Sequence, residues 1–324
     1  MGKVRHDALP EKFQNISENL WEQAETVLRM NNNKGNATIR RYKAAEHRFC
    51  DFMAERYQTQ NLKNVEARHI YSYATMLMET DHMPKYIRTE LSAVRFFHKR
   101  LGSKNKLPTN KKLGIMPNDD YKYNRAFLPS EFKDMIQVAV SMKRYDAVIV
   151  SYLARYFGLR LEEAVTVRVF QIEEAIRYKQ LHITNGKGGQ KRDIPVDIKI
   201  QESILERYLA YAKKNGKAGN DYLICDGHQN SVKKMMSSLQ NWRTNHGNKF
   251  IDPNRTRLVE PGKKPRIKRP SWHGLRHLYF QENKRRLLAE RKLTKRQIEN
   301  ELSERMGHHR NEVKKFYSDD LEDS

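Results

Sequence analysis

The sequence predicts a mainly α-helical protein of two domains, with a small β-sheet confined to the second. Three observations carry this. Apolar residues recur at helical spacing over most of the chain. Strand-like stretches cluster between about 165 and 196 only. Between the two periodic regions lies 102–126, where Gly, Pro, Asn and Lys dominate and no apolar period survives. A chain of 324 residues has the length of about two domains.

The elements follow in order. Phe13, Ile16, Leu20, Ala24 and Val27 predict a short helix over 9–30, closed by the polar break Asn31 to Asn36. Ile39, Tyr42, Ala45, Phe49 and Phe52 predict a second over 38–55, and Ile70, Tyr73, Ala74 and Leu77 a third over 66–80. A fourth, over 84–101, opens at Pro84, a favourable first-turn residue, with Ile87, Leu91, Val94 and Phe97 on its apolar face. Its other face carries Lys85, Arg88, Arg95 and Lys99 with Ser92 among them. That stripe can follow a phosphate backbone or serve as a solvated face. The second domain begins near Phe127, where Ser130 is the expected N-cap of a helix. Another apolar helix covers 145–158. Strands are expected at Val165–Phe170, Leu181–Thr184 and Arg192–Val196, the last two flanking the turn Asn185-Gly186-Lys187-Gly188-Gly189. Helices are expected again after 200, apart from a basic loop near 245–270.

Charge narrows the function. The 62 Lys and Arg against 39 Asp and Glu leave a net charge of +23 and a pI near 9.9. Both halves are basic, 23 to 14 over 1–125 and 39 to 25 over 126–324, so no single tail carries the excess. A polyanion is the expected partner, nucleic acid before an acidic membrane surface. The longest apolar stretch, around 147–159, is broken by Arg155 and too short to span a bilayer. Cys50 and Cys225 are too few for a disulfide framework and fit a reducing cytoplasm, and no apolar run opens the chain.

Several familiar sites are excluded. Gly186-Lys187-Gly188-Gly189 lacks the spacing of a nucleotide-binding P-loop. His273 and His277 have metal-ligand spacing, but Gly274 stands where a zinc protease needs Glu, and no acidic or Cys cluster adjoins them, so no metal site is expected. Four other segments can serve a phosphate-handling site: Gly158-Leu159-Arg160 with Glu163, the turn residue Lys187, Ser271-Trp272-His273-Gly274-Leu275-Arg276, and Gly307-His308 followed nine residues later by Tyr317. Singly each has a plain structural reading. Arg160 can pair with Glu163 on a helix, Lys187 can be a surface turn lysine, and Tyr317 can pack beside Phe316.

In this order, across 160 to 317, the set resembles the signature of the tyrosine recombinases, or phage integrases. The Gly-Leu-Arg context and the Gly186–Arg192 turn followed by Ile194-Pro195 strengthen the likeness. The resemblance implies a helical, SAM-like core-binding domain over 34–101, after an N-terminal segment 1–33. A linker 102–126, a mixed α+β catalytic domain 127–317 and a short acidic tail 318–324 would follow. It implies Arg160 and Arg276 on the scissile phosphate, Tyr317 as nucleophile, His273 as its proton acceptor and Lys187 as proton donor to the leaving 5′ oxygen. His308 would hydrogen-bond the phosphate, and Glu163 would support the site by orienting Arg160 or a neighbour rather than by taking part in the chemistry. Two guanidiniums suit the charge that grows on non-bridging oxygens. Lys85, Arg88, Arg95, Lys99, Arg40, Lys43, Lys268 and Arg269 are the expected DNA-backbone contacts.

Site-specific strand exchange through a 3′-phosphotyrosyl link is the implied activity, with no cofactor, ATP or metal. The implied partners are duplex recombination sites, further copies of the chain forming a tetramer on two duplexes, and an accessory directionality factor. The implied setting is the cytoplasm and nucleoid of a bacterium or its phage. The basic stretch between Arg276 and His308 departs from the family and is expected to add DNA-backbone contacts or an exposed helical insertion. A type IB topoisomerase would share the chemistry, and a non-catalytic DNA-binding protein would share the charge.

Overall fold

A computed structural model of the chain describes residues 9–29, 36–80, 82–116, 125–186, 189–226, 228–253, 257–258, 266–267 and 271–307. The chain divides into two compact units, Met1–Asp119 and Asp120–Ser324.

The regular elements described in the first unit are helices. Its helices are α1 (Glu11–Arg29), α2 (Asn36–Tyr57), α3 (Ala67–Glu79) and α4 (Pro84–Arg100). The apolar stripes read from the sequence point into one core, where Leu20 and Ala24 of α1 join Phe49, Met53, Ile70, Tyr73, Leu91 and Phe97. Helix α1 therefore belongs to the same packed body as α2–α4. Beneath α4 lies a polar centre. Glu90, buried, accepts from Arg48 Nε at 3.0 Å and from Tyr73 Oη at 3.2 Å. A buried carboxylate persists only when paired in this way.

Residues 102–116 are not a free linker. Leu113 and Ile115 are buried in the first core. Arg95 donates from Nε and Nη2 to the Pro108 carbonyl, at 3.1 and 2.6 Å, and from Nη1 to Asn110 Oδ1 at 2.9 Å. Asn105 donates to the Val65 carbonyl at 3.0 Å. The stretch lacks a helical period because it folds as a strap, held by side chains rather than by its own ladder.

The second unit runs α5 (Pro129–Ser141), α6 (Tyr145–Phe157), α7 (Leu161–Val165), α8 (Val169–Tyr178), β1 (Gln180–Ile183), β2 (Arg192–Pro195), α9 (Lys199–Lys214), α10 (Gln229–His246), β3 (Arg257–Leu258), β4 (Arg266–Ile267), α11 (Trp272–Ala289) and α12 (Lys295–Arg305). Strands β1 and β2 form an antiparallel hairpin with Ile183 opposite Arg192. A second antiparallel pair, β3 with β4, stands within the stretch expected to be a basic loop.

Three local expectations are corrected. Val165–Phe170 is not a strand: it joins the end of α7 to the start of α8, and only Arg168 forms an isolated bridge, with Tyr222. Its valines are needed for burial, since Val165, Val167 and Val169 are each at most 1% exposed. Ser130 is not an N-cap, because α5 already begins at Pro129; the free amide of Leu128 is met instead by Glu131 Oε2 at 2.9 Å. The basic segment after Arg276 is not an exposed insertion. Helix α11 packs against α6 and α12, and Lys284 lies buried against Glu299 at 3.0 Å. Arg286 is bound to Asp197 at 2.9 Å and to Glu290 at 3.2 Å. Two of its cations thus serve packing, while Arg291, Lys292 and Arg296 lie exposed.

Among the described residues, no helix is long and apolar enough to cross a membrane.

Candidate active site: an arginine cluster at the end of α12

The site grows from one sharp chain reversal and from the end of a helix. Helix α6 ends at Gly158, whose φ of +62° closes the helix in the left-handed region that favours glycine. A Cβ there would lie 2.7 Å from Cδ1 of the buried Tyr279, so glycine is required for close approach as well. The chain turns at once into α7, placing Arg160 just before its first residue. The backbone amide of Arg160 donates to Glu163 Oε2 at 2.8 Å and its Nη1 to Oε1 at 2.7 Å. The Arg160–Glu163 ion pair foreseen from their spacing is therefore present.

Glu163 also receives a residue that the sequence placed in the hairpin motif without a role. Arg192, first residue of β2, donates from Nη1 to Oε1 at 2.9 Å and from Nη2 to Oε2 at 2.6 Å. Arg276 Nη1 stands 3.8 Å from Oε2. Three guanidiniums thus surround one carboxylate that is almost wholly buried. Burial alone pushes the Glu163 carboxyl up. The hydrogen bonds and charge of Arg192, and then those of Arg160, outweigh it and hold the group at about 2.

The same arginines converge on the C-terminal end of α12. Arg192 Nε donates to the Arg305 carbonyl at 2.9 Å, Arg276 Nη2 to the Met306 carbonyl at 2.9 Å, and Arg160 Nη2 to the Gly307 carbonyl at 3.2 Å. The last carbonyls of a helix lack partners within it and carry its partial negative charge, so cations suit them. Arg276 Nη1 also donates to the Gly158 carbonyl, joining that reversal to the end of α12. Arg276 is fully buried, whereas Arg160 keeps 22% of its side chain exposed.

Of the expected catalytic residues, Arg160, Glu163 and Arg276 come together. His273 lies in the first turn of α11, exposed, with its ring centroid 5.2 Å from that of buried His277. Beside it Trp272 packs on Trp242, whose ring stacks on Phe250. Lys187, His308 and Tyr317 lie outside the described residues, although Gly186 and Gly307, which precede the first two, are described. Among the described residues, no group of three His, Cys, Asp or Glu is gathered as metal ligands would be.

The expected DNA contacts divide. Lys85 and Arg88 line a groove of about 280 Å³ with Ser92, Thr38 and Arg41, the last a cation that the sequence reading did not select. Arg40 and Lys99 are exposed and Lys43 half-buried, outside that groove. Arg95 is spent on Pro108 and Asn110, and its burial lowers its pKa. Its place in the α4 stripe is a matter of spacing; its contacts are structural. Lys268 and Arg269, like the 318–324 tail, lie outside the described residues. In the second unit a larger groove, about 680 Å³, is lined by Arg144, Lys233, Lys234 and His246 beside Trp242.

Comparison with solved structures decides the fold. The chain superimposes on the Tn1549 transposon integrase bound to transposon right-end DNA with a TM-score of 0.56 at 15% identity, covering 92% of this chain and 94% of that one. Against a lambda integrase tetramer bound to a Holliday junction the TM-score is 0.61 at 13% identity, covering 93% and 77%. The fold is that of the tyrosine recombinases. A third recombinase structure, XerH bound to its difH substrate, gives 0.51 at 16% identity, covering 92% and 80%. No protein-family model and no curated protein matches the sequence. At such identities the recombinase fold is shared while the residues on it must be argued one by one.

Proposed function

We propose that the protein is a tyrosine-type site-specific DNA recombinase. The observation that carries this reading is the cluster of Arg160 and Arg276, set by Glu163 and by the end of α12, immediately before His308. Such a pair of fixed cations stabilises the charge that builds on a phosphate in transesterification.

In this reading the Tyr317 oxygen attacks the phosphorus of one DNA strand and the bond to the 5′ oxygen breaks. The tyrosine proton passes to His273, and Lys187 supplies a proton to the leaving 5′ oxygen. The 3′-phosphotyrosyl link retains the ester, so a 5′-hydroxyl from a second duplex can reverse the step without ATP. His308 hydrogen-bonds the phosphate. The groove at Lys85, Arg88 and Arg41 holds backbone on the first unit. Exchange between two duplexes needs paired cuts, which fits a tetramer such as the one lambda integrase forms on a Holliday junction.

The test is a nicked duplex carrying the recombination site, which loses a short fragment on cleavage and cannot religate. The wild-type protein should accumulate as a covalent adduct, and Tyr317→Phe should bind the DNA but give none. An adduct of normal yield in Tyr317→Phe would overturn the assignment. Relaxation of plasmids without strand exchange would point to a topoisomerase, and binding without an adduct to an architectural protein.

A further inference from the structure

Arg192 bears on the proposal above, on which its role rests, that Arg160 and Arg276 take the scissile phosphate. A carboxylate offers about four lone-pair sites. Glu163 has four partners at 2.6–2.9 Å, two from Arg160 and two from Arg192. Arg192 spends its remaining Nε on the Arg305 carbonyl, and its side chain is only 6% exposed. All three of its guanidinium nitrogens are thus engaged within the protein. Its surroundings are cut to fit. A Cβ on Gly307 would meet Arg192 Cδ at 3.2 Å.

We propose that Arg192 is a positioning residue of the phosphate site. By occupying half of the Glu163 carboxylate, it prevents that group from taking both ends of the Arg160 guanidinium. By holding the Arg305 carbonyl, it fixes the helix end that Arg160 and Arg276 also touch. With Arg192 gone, the vacant sites on buried Glu163 are most readily filled by a two-bond fork with Arg160, the strong geometry for this pair. That fork turns Arg160 away from a phosphate. Lysine cannot replace Arg192, because one ammonium cannot span both carboxylate oxygens and the Arg305 carbonyl together.

A merely structural ion pair would slow every substrate alike when lost. A positioning role is read by the substrate's charge. The experiment compares single-turnover cleavage of nicked DNA carrying an ordinary scissile phosphate with the same DNA carrying a neutral methylphosphonate there. Wild type, Arg192→Gln, Arg192→Lys and Arg160→Ala are measured as full chains, with thermal melts and DNA affinity for each. A cation that neutralises a non-bridging oxygen matters less when that charge is absent. Arg192→Gln should slow phosphate cleavage about 100-fold, the scale of losing one oxyanion donor. Its DNA affinity should change by no more than about threefold, and its deficit should shrink at least about tenfold on the methylphosphonate, in parallel with Arg160→Ala.

Equal slowing on both substrates would overturn the proposal, as would a near-normal rate in Arg192→Gln or full activity in Arg192→Lys. Should Arg192→Gln fail to fold, Arg192→Lys carries the same substrate comparison. Wild-type adduct formation is scored first. Its absence would remove the functional reading itself, whereas a normal adduct with an indifferent Arg192 would overturn this proposal alone.

Discussion

Arg276 donates to the carbonyl oxygen of Gly158, a residue 118 positions earlier in the chain. This bond joins the start of α11 to the turn between α6 and α7, and both ends depend on the absence of a side chain at 158. Gly158→Ala would combine a left-handed backbone with a Cβ 2.7 Å from Tyr279. The expected cost is at least about 2 kcal/mol. Gly102→Ala, at φ +73° with open space around it, is the matched control, and should cost only about 1 kcal/mol. Urea unfolding of the two variants measures the difference.

Glu163 gives a pH dependence of definite sign. Its folded pKa of about 2 lies below the ordinary 4.5, so its contribution to stability is complete above about 4.5 and disappears as the pH falls toward 2. Glu163→Gln should therefore lose roughly 3 kcal/mol at neutral pH, the size of that shift. The gap from wild type should stay constant between pH 8 and 5 and close in stronger acid. Unfolding free energies at pH 7 and pH 3 check this.

Glu46 has the opposite sign. It is 1% exposed, and its Oε2 meets no hydrogen-bond partner among the described residues. Burial, and then the neighbouring Glu90 charge, raise its pKa well above the ordinary value. A raised carboxyl favours the fold at low pH and opposes it as the pH rises through the folded pKa. Glu46→Gln should melt at a higher temperature than wild type at pH 8 and at nearly the same temperature at pH 4. Calorimetric melts at both values are the measurement.

Lys85, Arg88 and Arg95 share one helical stripe but should behave differently. Neutralising Lys85 or Arg88, which line the groove of the first unit, should lower the slope of log affinity against log salt by about one. Arg95→Gln should leave that slope unchanged and destabilise the unit, because it unfastens the strap at Pro108. DNA titrations at several salt concentrations, beside melts of each variant, separate the two.

The helices and the site were legible to different degrees. Repeating apolar positions such as Phe49–Phe52 or Leu91–Val94 announced α2 and α4, because one buried face is enough to write a period of 3.6 into the sequence. Arg160, Glu163 and Arg276 were legible as members of short local motifs. Arg192 was legible only as the end of the hairpin motif; its role was not, since its partners are 29 and 113 residues away. The valines around 167 misled for a related reason: burial on every side asks for apolar, β-branched residues whether or not a strand results. The 102–116 strap was hidden because its order comes from Arg95, Asn105 and two buried aliphatic side chains, not from any repeat.

The crowding of guanidiniums on the α12 carbonyls has a thermodynamic corollary. Arg276 gives one Nη to Gly158 and the other to Met306, and Arg160 gives an Nη to Gly307. Any hydrogen that an incoming phosphate claims from these nitrogens is one that the peptide oxygens must share or surrender. Anion affinity and the placement of residues 305–307 are then reciprocally linked: whatever shifts that helix end by a given free energy alters phosphate affinity by the matching factor, and the reverse. A small free anion competes against oxygens already in place, whereas a duplex anchored by many other phosphates arrives at high effective concentration. If the cluster takes the scissile phosphate as proposed, it would select duplex DNA by tethering rather than by charge alone.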